Sequence, residues 1–287
     1  MQRAAISGET QICGVIGHPV RHTASPMMHN TGYEKLGLNY RYMAFDVAPD
    51  QLGAAMAGIR ALGIVGLNVT IPHKEAVIPY LDELDGSAKR VQAVNTIVNR
   101  NGQLIGYNTD GAGFIDAFQA ETTRTLQGKS VILIGAGGAA KGIAWALIDA
   151  GIAALTILNR SLEKAQDLQR QIQSQLSNVQ EVPITIFPLN QCPDALITEA
   201  DILINTTPIG MGDTQGQSPF SRWELITAHH LCCDIIYKPV MTAFLQAAQE
   251  KGAQILGGAG MLAGQGRLSF EKFTGHHIDY ATFRNVL

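Results

Sequence analysis

Charge is scarce in this chain: Asp, Glu, Lys and Arg make up 16% of 287 residues, and the formal net charge is −3. No long run of Lys or Arg occurs, so the sequence carries no electrostatic footprint for nucleic acid or an anionic membrane surface. Long apolar runs are missing too. Nothing approaches the roughly 20 residues that span a bilayer, and the first stretch, MQRAAISGETQ, has no continuous apolar segment of signal-peptide type. These absences predict a cytoplasmic protein that acts on small molecules. Cys13, Cys192, Cys232 and Cys233 show no C-x-x-C spacing, and the adjacent pair is badly placed to bridge, which predicts reduced, buried thiols. The histidine pairs His229–His230 and His276–His277 are neighbours that point to different faces of any regular element, so no metal site is expected. There is no internal repeat and no low-complexity tract.

What is present is apolar material, 46% of the residues, in a chain long enough for two domains. Residues 11–16, 40–47 and 65–69 read as strands, and 25–36 and 51–62 as helices. Ser25 followed by Pro26 has the form of an N-cap and a first helical position. This β-α-β-α-β pattern predicts a mainly parallel sheet. Segments 96–99 and 103–107 follow as a hairpin around Arg100, Asn101 and Gly102, with Asp110 just ahead of a helical run at 113–119. The polar stretch 121–129 marks a boundary, giving expected domains of 1–125 and 126–260, the rest being helical. Beyond the boundary, strands are expected at 130–134, 155–158, 184–187, 202–205 and 231–235, with helices at 139–150 and 242–251.

Gly135-Ala136-Gly137-Gly138-Ala139-Ala140 fits G-x-G-x-x-A between a strand and a helix, the context that a dinucleotide-binding turn requires. The first glycine permits the turn, the second lets backbone approach a pyrophosphate, and the helix N-terminus faces the phosphates. The Walker lysine pattern is absent. Where an NAD-binding fold carries an acidic residue after the second strand, this chain has Asn159-Arg160-Ser161, with Lys164 one turn on. Two cations and no carboxylate suit a 2′-phosphate, so NADP is expected in preference to NAD, which stays open.

Lys74 directly follows the strand at 65–69, and Asp110 follows Asn108-Thr109. Each has a structural explanation, a solvated lysine and a helix N-cap, and Ser25 shares the capping explanation. Beside a nicotinamide they also answer a need, because moving hydride to or from a secondary alcohol carbon requires a group that exchanges the hydroxyl proton. A non-catalytic NADP sensor, the reading from another class, would need the glycine turn but not this pair.

GHPVRHTASPMMHN at 17–30, NVTIPHK at 68–74, AVNT at 93–96, GYNTDGAGF at 106–114, GAGGAAKG at 135–142, NTTPIGM at 205–211, DIIYKP at 234–239 and GAGMLAGQG at 258–266 occur in an order that resembles the shikimate dehydrogenase family, including its quinate/shikimate branch. The resemblance implies an α/β protein with a substrate domain, a Rossmann NADP-binding domain, and C-terminal helices from about 261 to 287 returning to the substrate domain. It implies reversible reduction of 3-dehydroshikimate to shikimate in a cleft between the two, with Lys74 and Asp110 as the catalytic pair. The substrate carboxylate would lie near Thr23, Ser25 and Tyr237, and the ring hydroxyls near Thr70, Lys74, Asn95, Asp110 and Gln265. Cofactor contacts are implied for Gly135 and Ala136 of the turn, and for Gly137, Gly138 and Ala139 at the pyrophosphate. Further contacts are implied for Asn159, Arg160 and Lys164 at the 2′-phosphate, Thr206 at the ribose, and the backbone of Ile235 and Gly258 at the nicotinamide. Thr23 stands where the family pattern has serine, which leaves quinate open as an alternative substrate. A homodimer is also left open.

Overall fold

The computed structural model describes residues 5–176 and 182–287; residues 1–4 of the N-terminal stretch considered above lie outside the described residues. The chain divides into two compact units, Met1–Gly113 with Ala263–Leu287, and Phe114–Leu262.

The first unit begins with β1 (Gln11–Gly17), α1 (Ser25–Leu36), β2 (Tyr40–Asp46), α2 (Leu52–Ala61) and β3 (Gly66–Val69). Short elements follow, α3 (His73–Ala76), β4 (Glu83–Leu84) and α4 (Gly86–Val91), then β5 (Thr96–Arg100), β6 (Gln103–Tyr107) and the start of α5 (Asp110–Glu121). The sheet order is β2-β1-β3-β5-β6-β4. β1 pairs in parallel with β2 and β3, as the alternating pattern predicts, while β5 runs antiparallel to both its neighbours. The hairpin is tighter than expected. Arg100 pairs with Gln103, which leaves a two-residue turn in which Asn101 and Gly102 take positive φ values of 53° and 92°. Helix α2 presents Leu52, Met56 and Ile59, one face of a helical repeat, to a core that includes Ile16, Leu67 and Ile97.

Two helix starts differ from expectation for the same reason. Ala24, not Ser25, caps α1, and Ser25 is its first helical residue with a buried side chain. Asp110 opens α5 instead of preceding a helix at 113. In both cases the polar side chain is engaged by tertiary partners, which local capping rules do not see.

The second unit contains β7 (Ser130–Ile134), α6 (Gly138–Asp149), β8 (Ala154–Asn159), α7 (Leu162–Gln173), β9 (Ile184–Pro188), α8 (Asp194–Thr198), β10 (Ile202–Asn205), β11 (Leu231–Asp234), α9 (Ala243–Glu250) and β12 (Gln254–Leu256). Helix α10 (Gly258–Thr274) follows, and α11 (Tyr280–Arg284) belongs to the first unit. All pairings are parallel, in the order β12-β11-β10-β7-β8-β9. β10 and β11 are buried at every residue, the signature of a parallel sheet covered on both faces. The order reverses between β10 and β7, which makes their carboxyl ends the topological switch point of a doubly wound fold.

The division falls at Gly113 and Phe114, earlier than the 125/126 boundary expected from the polar linker. Phe114 and Ala117 of α5 face a small cavity with Cys233, Leu256 and Met261, so the helix changes allegiance within its own length. Composition marks the polar stretch, but apolar packing sets the boundary. The four cysteines are buried and unpaired, and burial pushes Cys13 and Cys232 up to about 12.

His29 of α1 is fully buried, and neither ring nitrogen has a hydrogen-bond partner among the described residues. Burial lowers its pKa from 6.5 to about 3. The unfolded chain therefore takes up this proton first, and the stability that neutral His29 contributes is complete above 6.5 and lost as pH falls toward 3. His29→Phe keeps a ring and removes the titration, so the melting temperature of the variant, followed by circular dichroism, should fall less steeply than the parent's across that window.

Candidate active site

In the first unit, Thr70, Ile71 and Pro72 lead from β3 into α3, and a hydrogen bond from Val94 N–H to the Lys74 carbonyl oxygen at 2.7 Å anchors that short helix. Lys74 Nζ donates to Asp110 Oδ2 at 2.5 Å, with the two side chains 16% and 5% exposed. The Asp110 backbone N–H donates to Asn108 Oδ1 at 3.1 Å. Its second oxygen, Oδ1, accepts from Asn95 Nδ2 at 2.9 Å.

Asn95 is the hub. Its Oδ1 accepts from the backbone N–H of Thr109 at 2.9 Å, and since a backbone N–H can only donate, the orientation of the amide is settled. The NH₂ group is thereby aimed at Asp110 Oδ1, at Thr109 Oγ1 (2.9 Å) and at Gln265 Oε1 (3.3 Å). Gln265 comes this close because α10 passes over Gly113 of α5, where a Cβ would sit 2.3 Å from the Gln265 backbone nitrogen. Lys74, Asp110, Asn95 and Gln265, expected together, are joined by these bonds. Thr70, half-buried, lies in the loop that leads into α3, and its carbonyl accepts from His73 N–H at 2.9 Å.

Thr23 and Ser25 form a second polar pair. Thr23 Oγ1 accepts from Ser25 N–H at 3.2 Å and donates to Ser25 Oγ at 3.1 Å. Tyr237, expected beside them, follows β11 in the second unit. Three participants behind Asn95 had no role in the sequence reading: Asn68, Ser269 and Tyr42. Ser269 had a usable signal, since it lies four residues after Gln265 and so on the same helical face.

In the second unit, the glycine turn stands at the switch point. Gly135 has φ of 115°, and a Cβ there would lie 2.4 Å from Thr206 Oγ1, so the turn after β7 and the residue after β10 close on each other. Thr206 Oγ1 donates to Ile134 O at 2.7 Å, which fixes this approach. Gly137 caps α6 with no side-chain hydrogen bond, and a Cβ added to it would meet nothing within 4 Å. Ala136 is buried, whereas Gly138 and Ala139 are partly open. Uncapped N–H groups at the end of a twelve-residue helix, behind a backbone free of side chains, fit a pyrophosphate.

Asn159 ends β8, its Nδ2 bonded to Ser161 O at 2.8 Å, and Arg160 and Lys164 beyond it are exposed. Ile235 and Gly258 meet through backbone, a Cβ on Gly258 falling 2.2 Å from Ile235 O. Asp234, next to Ile235, is buried and accepts from Asn205 Nδ2 at 3.1 Å, Ile236 N–H at 3.0 Å and Thr242 Oγ1 at 2.8 Å. Burial raises its pKa to about 6 against the pull of these donors.

Three family models match in succession: the shikimate dehydrogenase substrate binding domain over residues 15–97, shikimate/quinate 5-dehydrogenase over 118–209, and the shikimate 5′-dehydrogenase C-terminal domain over 258–287. The chain belongs to the shikimate dehydrogenase family. A shikimate dehydrogenase (NADP+) of Desulforamulus reducens is 43% identical, over 100% of this chain and 98% of that relative. Among solved structures, a shikimate dehydrogenase in complex with NADP+ superimposes with a TM-score of 0.89 at 40% identity, covering 99% of this chain and 96% of the other. A shikimate 5-dehydrogenase from Listeria monocytogenes in complex with shikimate and NAD gives 0.88 at 33% identity, covering 99% and 98%.

Within this family framework the Asp234 network carries a stability test of its own. Asp234→Ala strands Asn205, Thr242 and the Ile236 N–H in a buried site, so urea unfolding should show a loss of about 2–5 kcal/mol.

Proposed function

We propose that this chain is a cytoplasmic NADP-dependent shikimate dehydrogenase that reversibly reduces 3-dehydroshikimate to shikimate. The observation that carries the proposal is the Lys74–Asp110 pair at 2.5 Å, nearly buried and held by Asn95. Family membership over the whole chain supplies the substrate class. No helix among the described residues is long and apolar enough to cross a membrane.

When bound, NADPH supplies hydride to the ring carbonyl; the chain's own residues supply position and the proton. Asp110 accepts at both oxygens, from Lys74 and from Asn95. The Lys74–Asp110 pair gives the ring oxygen its proton during reduction and takes it back during oxidation. Asn95, Gln265 and Thr70 orient the ring hydroxyls, while Thr23 and Ser25, with Tyr237, receive the carboxylate. Orientation of this kind is worth several kcal/mol of barrier because it replaces a random encounter with a fixed geometry. The backbone of Gly137, Gly138 and Ala139 receives the pyrophosphate on the turn that Gly135 and Ala136 form, and Thr206 the ribose. Backbone of Ile235 and Gly258 borders the nicotinamide. Asn159, Arg160 and Lys164 read the 2′-phosphate, Arg160 and Lys164 being exposed cations in place of an acidic residue. On this assignment the first unit holds the substrate and the second the cofactor.

Steady-state rates with shikimate and quinate, each with NADP and NAD, test the reading directly. Shikimate with NADP should give the highest kcat/KM; preference for quinate would shift the assignment to the branch that Thr23 left open, and no turnover in any combination would sink it. Lys74→Ala should lower kcat by about 10²- to 10⁴-fold with a much smaller change in shikimate binding, and near-normal turnover would remove Lys74 from the chemistry. In Arg160→Ala, KM for NADP should rise far more than KM for NAD; equal losses would show that the guanidinium does not read the phosphate.

A further inference from the structure

His73 directly precedes Lys74 in NVTIPHK, and nothing in the chemistry above uses it. The residue is 1% exposed, and its ring nitrogen Nε2 lies 2.7 Å from the carbonyl oxygen of Val47. A carbonyl oxygen can only accept, so Nε2 carries the hydrogen and donates it. The acceptor is 26 residues away in the chain, one position past the end of β2.

That acceptor is a fixed point of the sheet. Val47 N–H donates to Gly17 O at 3.0 Å, at the last residue of β1. Thr70 N–H donates to Ile16 O at 2.9 Å and His18 N–H to Ile71 O at 3.0 Å, so the chain leaving β3 is laced to the same end of β1. Helix α3, by contrast, has four residues. A single turn fixes more backbone dihedrals than its own hydrogen bonds offset, so it takes its place from contacts outside itself. Val94 N–H holds the Lys74 carbonyl at 2.7 Å, and the His73 ring ties the start of the turn to Val47. With the first tie alone, the turn can pivot about the Lys74 carbonyl. The Lys74 ammonium stands at the end of a flexible four-carbon stem, and its aim depends on where that turn lies. Asp110 is held separately by Asn95, so the lysine is the partner that would stray.

We propose that His73 is a positioning residue, whose Nε2–H bond to the Val47 carbonyl fixes the turn that carries Lys74 and so aims the ammonium at Asp110 and the ring oxygen. This rests on the assignment of the Lys74–Asp110 pair to the proton transfer. An apolar residue at 73 would leave the Val47 carbonyl without this donor, and water could replace it only by opening the turn. A displacement of about 1 Å is enough to cost on the order of 10²-fold in rate.

The test compares His73→Gln with His73→Met in the full chain, assayed with shikimate and NADP+ beside a melting curve for each. The two side chains have the same length, and glutamine alone ends in an N–H donor. The methionine variant is expected to lose about tenfold to 10²-fold in kcat with a smaller change in KM for shikimate, and the glutamine variant to keep kcat within about threefold of the parent. KM for NADP+ should stay within about twofold of the parent in both. A glutamine kcat equal to or below the methionine value overturns the proposal, whatever the melting temperatures, since a histidine that only filled space would gain nothing from a donor. Should either variant not fold, His73→Phe, which keeps a ring and lacks the donor, is compared with the parent. A loss of about tenfold or more in kcat is expected there, and a kcat within about threefold of the parent overturns the proposal. A parent protein that does not turn over shikimate refutes the functional assignment before any variant is compared, and the positioning role falls with it.

Discussion

The side-chain amide of Asn95 meets the backbone N–H of Thr109 at 2.9 Å, in a region where both residues are almost wholly buried. Nothing about an amide's shape tells its oxygen from its nitrogen, so a buried Asn beside a carboxylate could in principle face either way. The Thr109 N–H removes that freedom because it cannot accept. With the oxygen committed, the NH₂ group faces Asp110, Asp110 accepts at both oxygens, and Lys74 has a carboxylate to pair with. Water is largely excluded from the group, which makes each of these bonds costly to leave unmade. The arrangement of the first unit around this point follows: β5 carries Asn95 at its entry, β6 leads to Thr109, and α10 brings Gln265 and Ser269 against the same amide.

The second unit solves a different problem with the same materials. Its strands are parallel, and the central ones are buried and mainly apolar, with polar side chains such as Asn205 and Asp234 at their carboxyl ends. On the proposed assignment the backbone there receives the cofactor. Gly135 closes onto Thr206 at the point where strand order reverses, and Ile235 and Gly258 approach through main-chain atoms. Such loops need support from beneath, and the buried Asp234, joined to Asn205 and Thr242, ties the ends of β10 and β11 to the start of α9.

Most of the element order could be read in the sequence because it rests on local signals. The alternation of apolar runs with helical periodicity placed β1 to β3, and the G-x-G-x-x-A turn could be assigned because its neighbours formed β7 and α6. The failures share one cause. Ser25 and Asp110 look like helix caps by their position, but their side chains serve partners far away in sequence. The polar stretch at 121–129 looks like a linker, while the division of units follows the apolar contacts of Phe114 and Ala117. Tyr42 carried no signal, since a tyrosine in a strand is ordinary, and Asn68 stood out only as the first residue of the NVTIPHK segment, with no role of its own.

By itself, the sequence determined the kind of chemistry: a lysine and an aspartate able to exchange a proton, a glycine turn able to receive a dinucleotide, and two cations where an acidic residue would favour NAD. Those are properties of residue type and short spacing, which survive without coordinates. Only the tertiary structure decided which way the Asn95 amide points, that Asp110 accepts at both oxygens, and that the Tyr42 hydroxyl donates to Asn68. Hydrogen-bond direction depends on which donors and acceptors meet in space. Asn68 and Ser269, for example, are 201 residues apart in the chain and 2.8 Å apart in the fold.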